Sequence, residues 1–351
     1  MTGFLRDFRY SILVTVICFV AAFYWGFQRG GLEVALAALT ITAILALLEI
    51  SLSFDNAVVN ATVLKEMDEK WRRIFLTVGI LIAVFGMRLL FPLLIVAVAT
   101  GQGMGAVADM ALNKPDDYAA HLSDAYVGIS AFGGMFLLLV FLNFLFDERK
   151  ELHWLGYVEE KLAGLGKLDM MTVLVALSVL MGAQVFLPES DRLAAMLGGG
   201  GGILLYVAVD TLSSFFDEEV EAEAEMVAET VKRNGLMGFI YLEILDASFS
   251  FDGVIGAFAI TKDVVIIMLG LAIGAMFVRS MTVYLVNKGT LDEYVFLEHG
   301  AHYAIGVLAI VMLVGMIYHV PEVITGLIGV AFIVLAVISS IAYKRNNPES
   351  A

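Results

Sequence analysis

The chain alternates long apolar runs with short polar connectors. Ten runs stand out, at 11–27, 32–61, 72–99, 124–146, 170–188, 193–214, 236–261, 264–287, 301–319 and 322–342. A helix needs roughly twenty apolar residues to cross a bilayer. The pattern therefore predicts an all-α polytopic membrane protein with about ten transmembrane helices. The narrowest separations are "LPESDR" between the fifth and sixth runs and "TKD" between the seventh and eighth. The first run follows "FLRDFR" and shows no small-residue cleavage site, so it reads as a retained helix rather than a signal peptide.

Composition points the same way. The chain is 60% hydrophobic and 16% charged, whereas soluble domains are about a quarter charged. Placing the N-terminus in the cytoplasm and alternating sides puts fifteen Lys and Arg on inner flanks and four on outer flanks, with Arg88 and Arg279 inside apolar runs. That bias predicts cytoplasmic N- and C-termini, and we expect a bacterial plasma (inner) membrane location. The net charge of −15 argues against nucleic acid and for a cation as partner, beside the lipid bilayer. A single cysteine, Cys18, leaves no disulfide framework and no cysteine metal site. Without a Walker, HExxH or GxSxG motif, an enzyme is not expected.

Two stretches resemble each other. "EISLSFDN" at 49–56 and "DASFSFDG" at 246–253 share acid-x-x-apolar-Ser-Phe-Asp-(Asn/Gly). Each is followed by an apolar helix with one arginine, Arg88 or Arg279, and then by another span. The charge count runs the two copies in opposite directions, which predicts two inverted three-helix repeats with broken helices at a midplane site. The organisation expected is an N-terminal helix (1–31), repeat 1 (32–147), a linker region with two spans and an acidic cytoplasmic segment (148–235), repeat 2 (236–320), and a final helix with a short tail (321–351). Positions six apart on an unbroken helix point about 120° from each other. Glu49 and Asp55 can share a ligand only if the helix breaks near residues 53–56, and Asp252-Gly253 offers the same break in the second copy.

Carboxylates at bilayer depth need a counter-charge, a proton or a cation. The expected metal-ligating set is Glu49, Ser53, Asp55, Asn56, Glu243, Asp246, Ser250 and Asp252, with Arg88 and Arg279 compensating charge beside Asp55 and Asp252. An all-oxygen set selects hard divalent ions: Mg, Ca or Mn. The competing reading makes the acids interhelical glue for the two arginines. His299 and His302 in "FLEHGAH" are one turn apart. They read as an interfacial hydrogen-bonding pair, with an accessory metal or proton role as the alternative. The Gly-rich, then acidic, outer stretch 100–123 and the acidic inner segment 216–235 read as solvated connectors, the second a short helix. "GGGGG" at 198–202 fits either close helix packing or a flexible break.

At the repeated motif the sequence resembles the TerC family of tellurite-resistance integral membrane proteins, within the LysE-like exporters. The family pattern Glu-x-x-Leu-Ser-x-Asp-Asn matches Glu49, Leu52, Ser53, Asp55 and Asn56. Its second pattern is similar to Glu243, Asp246, Phe249, Asp252 and "FAIT" at 258–261, although Gly253 stands where the family usually has Ser. The resemblance runs from about residue 32 to 342. The extra first span and the inserted pair around 170–214 resemble a divergent branch. It implies export of Mn2+ as transported substrate, metal homeostasis, a link to tellurite, and no required cofactor. Residue chemistry alone stops at a hard divalent cation, and a membrane scaffold or assembly factor remains the rival function.

Overall fold

The computed structural model describes residues 8–346 except 76, 149, 151, 165–169, 225–234, 290–292 and 319, and it does not describe the side chains of residues 66, 213–224, 251, 252, 322 and 323. The described residues form helices and connecting turns, without strands. Among the described residues, seven helices are long and apolar enough to cross a membrane. Each of the ten apolar runs overlaps helix among the described residues, although the fifth is helical only over Met171–Ala183 and is too short to count among the seven.

The first helix, α1 (Arg9–Leu52), takes in the first run and most of the second, because the chain stays helical on both sides of a kink at Gly30–Gly31. Gly31 takes φ +72°, a left-handed conformation that costs glycine nothing. The kink folds the arm after residue 31 back against the arm before it: at Gly26 the backbone of Val34 and Ala35 comes within a methyl group's reach. After a one-residue interruption at Ser53, α2 (Phe54–Glu66) completes the second run. The third run comprises α3 (Glu69–Phe75), α4 (Val78–Leu81), a π-helical stretch Ile82–Leu90, and α5 (Phe91–Thr100).

The 100–123 stretch is more ordered than a solvated connector. It forms two short helices, α6 (Met104–Asn113) and α7 (Pro115–Asp124). Pro115 starts α7, where its missing N–H costs no hydrogen bond. Tyr118 and Leu122, four apart, are both buried, and Tyr118 meets Phe258 at 5.9 Å. That apolar pair pins the acidic helix to the body of the protein.

The most buried spans are α8 (Tyr126–Phe146) and α13 (Val264–Lys288). Between them in sequence come α9 (Tyr157–Ala163), α10 (Met171–Ala183), α11 (Glu189–Ala224) and α12 (Gly235–Ile260). After α13 come α14 (Leu297–Gly315) and α15 (Glu322–Asn346). The five glycines do not break α11, which continues through them. Gly198 lies against the backbone of Gly128, and Gly202 against that of Phe132, so a side chain at either position would collide with α8. Close packing is therefore their role. The acidic start of the 216–235 segment continues α11 to Ala224; its remainder lies outside the described residues.

Candidate functional site

The motif helix supplies most of the polar groups. Glu49, Ser53, Asp55 and Asn56 are all at most 6% exposed. Ser53 leaves helical geometry at φ −103°, ψ 18°. The interruption is confined to that residue: Ser53 N still donates to Glu49 O at 3.0 Å, and Ser53 O still accepts from Ala57 N at 3.3 Å. The backbone carbonyls of Glu49 and Ser53 thus remain in use. The local offset is nevertheless enough for Glu49, Ser53, Asp55 and Asn56 to line one cavity of about 50 Å³. A single water needs about 10–15 Å³ by a comparable measure, so the space admits an ion with some of its water. Phe249, Gly253, Ala304 and Thr325 close it from α12, α14 and α15.

The second copy behaves differently. Helix α12 is continuous from Gly235 to Ile260, which corrects the expected break at Asp252-Gly253. Glu49 explains the glycine: a Cβ at 253 would stand 2.7 Å from its Oε2. Gly253 makes room for a carboxylate of the other copy rather than ending a helix. The side chain of Asp252 lies outside the described residues. Gly253 against Glu49 and Gly238 against Met67 also show that the two motif segments pass antiparallel.

Beside the cavity lies a buried network of three acids and two arginines. Arg88 pairs with Glu49, donates to Ala83 O at 2.6 Å, and reaches 3.9 Å from Asp246 Oδ2. Arg279 pairs with Glu243 at 3.2 Å and lies 4.0 Å from the same Asp246 oxygen. It also donates to Phe75 O at 3.1 Å and Gly79 O at 2.9 Å, with its guanidinium 3.8 Å from the centre of the Phe75 ring. The expected partner of Arg88 was Asp55, and that is corrected: Arg88 pairs with Glu49, and no ion pair reaches Asp55 among the described residues. Asp55, six positions on, instead turns its carboxylate to the cavity and toward Gly329 of α15.

Glycines again set the approach. Gly79 stands nine residues before Arg88, and Gly270 nine before Arg279. Gly79 lies against Glu243 and Arg279, Gly270 against Leu45, and Gly274 against Glu49. The arginine helix of each copy therefore packs on the motif helix of the other.

Several expected ligands are not brought together. Among the described residues no three His, Cys, Asp or Glu side chains are grouped to hold a metal ion. Ser250 is buried, and its Oγ finds no hydrogen-bond partner among the described residues. His299 and His302 form a separate cluster at the start of α14. His299 Nε2 lies 2.9 Å from Leu152 O and 3.5 Å from Glu159, and His302 stacks on Phe144 at 4.0 Å. This supports the hydrogen-bonding reading of that pair. The centre of the cluster is Glu159, fully buried, with Lys150 Nζ at 2.6 Å and Leu155 N at 3.1 Å. Burial pushes its carboxyl up, but these donors outweigh burial and hold it below its ordinary value. Sequence reasoning missed Glu159 because nothing in "YVEEKLA" separates it from its exposed neighbour Glu160.

A family model described as a protein of unknown function (DUF475) matches residues 54–347. No curated protein and no solved structure matches. The matched span begins at Phe54, so it takes in Asp55, Asp246, Asp252 and both arginines while Glu49 and Ser53 precede it. With most of its length matched, the chain belongs to the DUF475 family.

Proposed function

We propose that this protein is a secondary transporter of a hard divalent cation, Mn2+ foremost, with the cavity at Ser53 as its binding site. One observation carries the reading. A helix apolar enough to cross a bilayer is interrupted at a single residue, and there Glu49, Ser53, Asp55 and Asn56 line one cavity. Acids at such depth are functional by default, and an all-oxygen set suits Mn2+, with Ca2+ and Mg2+ as alternatives. The resemblance of the motif to the TerC family favours Mn2+ and export. The Lys/Arg bias supports ten crossings with both termini on the cytoplasmic side of a bacterial plasma membrane. The antiparallel motif segments, and the reciprocal packing of each arginine helix on the other motif helix, support inverted repeats that alternate access. The chemistry requires neither an enzymatic step nor a bound cofactor.

A second reading has its own observation. Three of the buried acids already have arginine neighbours, as in a membrane scaffold whose charges fix helix packing. Asp55→Asn separates the two, because Asp55 belongs to the cavity and not to the arginine network. In proteoliposomes the wild-type chain should move Mn2+ and Asp55→Asn should not, with both equally resistant to unfolding. An unfolded variant, or a wild type that moves no Mn2+ at any imposed ion gradient, would favour the scaffold.

A further inference from the structure

The last helix, α15, packs on the motif through two glycines. Gly326 and Gly329, three apart on one face, meet Leu52 and Asp55, three apart on either side of the interruption at Ser53. A Cβ at 326 would stand 3.3 Å from the Leu52 Cα, so the two backbones nearly touch there. A Cβ at 329 would stand 2.9 Å from Asp55 Oδ2 and 3.1 Å from its Cγ. The Asp55 carboxylate therefore lies directly against the α15 backbone. Glu49 also meets glycines, Gly253 on α12 and Gly274 on α13. Those helices carry the second motif copy and its arginine, whereas α15 follows both copies and has no part in the repeated pattern.

Asp55 lines the cavity and Gly329 does not, although Thr325, one turn earlier on α15, does. The carboxylate thus stands between the glycine and the open space, and the missing side chain sets how far back it can lie. Ordinary contact begins near 3.4 Å, so a methyl group at 329 would push Oδ2 toward the cavity by about 0.5 Å. Glu49, paired with Arg88 and packed against Gly274, has little freedom to compensate. A shift of that size matters to an ion. Ca2+ binds oxygen at about 2.3–2.6 Å and Mg2+ at about 2.0–2.1 Å, with Mn2+ between them in size. The displacement matches the difference between the two bond lengths.

We propose that Gly329 sets the size of ion the cavity accepts: it lets the Asp55 carboxylate lie back against α15, leaving room for Ca2+ and Mn2+ where a closer carboxylate would favour the smaller Mg2+. This rests on the cation-site reading above and deepens it by naming a selectivity residue outside the repeated motif. Gly329 positions a ligand and is not one itself. The test is equilibrium binding of Mn2+, Ca2+ and Mg2+ to the purified full chain, read as the ratio of Ca2+ to Mg2+ affinity. That ratio does not depend on how much of a preparation is folded. Gly329→Ala should lower it about tenfold, with Mn2+ affected to an intermediate degree. Gly300→Ala is the packing control. Its Cβ would meet Ala336 Cβ at 2.5 Å and Phe332 O at 2.9 Å, crowding α15 from α14 with no ligand among these neighbours. It should leave the ratio unchanged. If Gly329→Ala yields no folded protein, Asp55→Glu takes its place, because the longer side chain carries the carboxylate further into the cavity and should lower the ratio in the same direction. An unchanged ratio in the variant that folds, or an equal fall in Gly300→Ala, would overturn the size-setting role and leave the cavity reading intact. A wild type that binds none of the three ions would overturn both.

Discussion

Replacing Arg88 with glutamine removes one of two positive charges from a buried group of three acids. The side chains of Arg88 and Glu49 are 3% and 2% exposed, so solvent does not screen their pairing. Without Arg88, the only remaining side-chain donor to Glu49 among the described residues is the Ser53 hydroxyl, at 3.4 Å. Removing one partner of such a pair costs about 3–5 kcal/mol, because the other charge is left buried. Arg88→Gln should lose about that much stability. Glu49→Gln on the same background returns the net charge to its starting value and should recover about 2–3 kcal/mol, the upper range for coupled residues. Unfolding of the two single variants and the double in one detergent, closed as a mutant cycle, measures this coupling. Arg279 supplies the contrast. It also holds the carbonyls of Phe75 and Gly79, so adding Glu243→Gln to Arg279→Gln should recover much less. A coupling between Glu49 and Arg88 below about 0.5 kcal/mol, the level of independent sites, would refute the electrostatic account and leave packing as the role of the arginine.

Two further expectations concern the frame around the site. The Glu159 carboxyl is held low in the folded state. Its stabilising effect is therefore complete above the ordinary carboxylate value and lost as pH falls through the depressed one. Hydrogen exchange of amides in 152–160, corrected for intrinsic rate, should stay slow from about pH 8 to 5 and speed up only below about pH 4, whereas Glu159→Gln should exchange fast at neutral pH. Gly202→Leu forces a side chain into the backbone of Phe132 on α8. It should cost about 1–3 kcal/mol as overpacking, read as lower resistance to thermal unfolding, while Gly200→Leu, with open space around it, should cost little.

The helical runs and the burial of the motif were legible because both follow from local pattern. Glu49, Asp55, Glu243 and Asp246 are no more than 7% exposed, as acids set within apolar spans must be if they face protein rather than lipid. The pairing of acids with arginines was not legible. It depends on the register between helices that the chain order separates, and that register is set by close approach at Gly79, Gly270 and Gly274. The π-helical stretch around Arg88 leaves no mark in its apolar sequence. Gly253 misled for a physical reason: a glycine after an aspartate can end a helix, but here the missing side chain leaves space for Glu49.

The central claim is that the cavity at Ser53 holds the transported cation. Crystals of the full chain grown with Mn2+, with anomalous scattering collected on both sides of the manganese edge, test this most directly. A peak is expected between the carboxylates of Glu49 and Asp55 and the side chain of Asn56, absent in Asp55→Asn. Manganese bound only at surface acids, with the cavity holding water at concentrations that saturate flux, would contradict it.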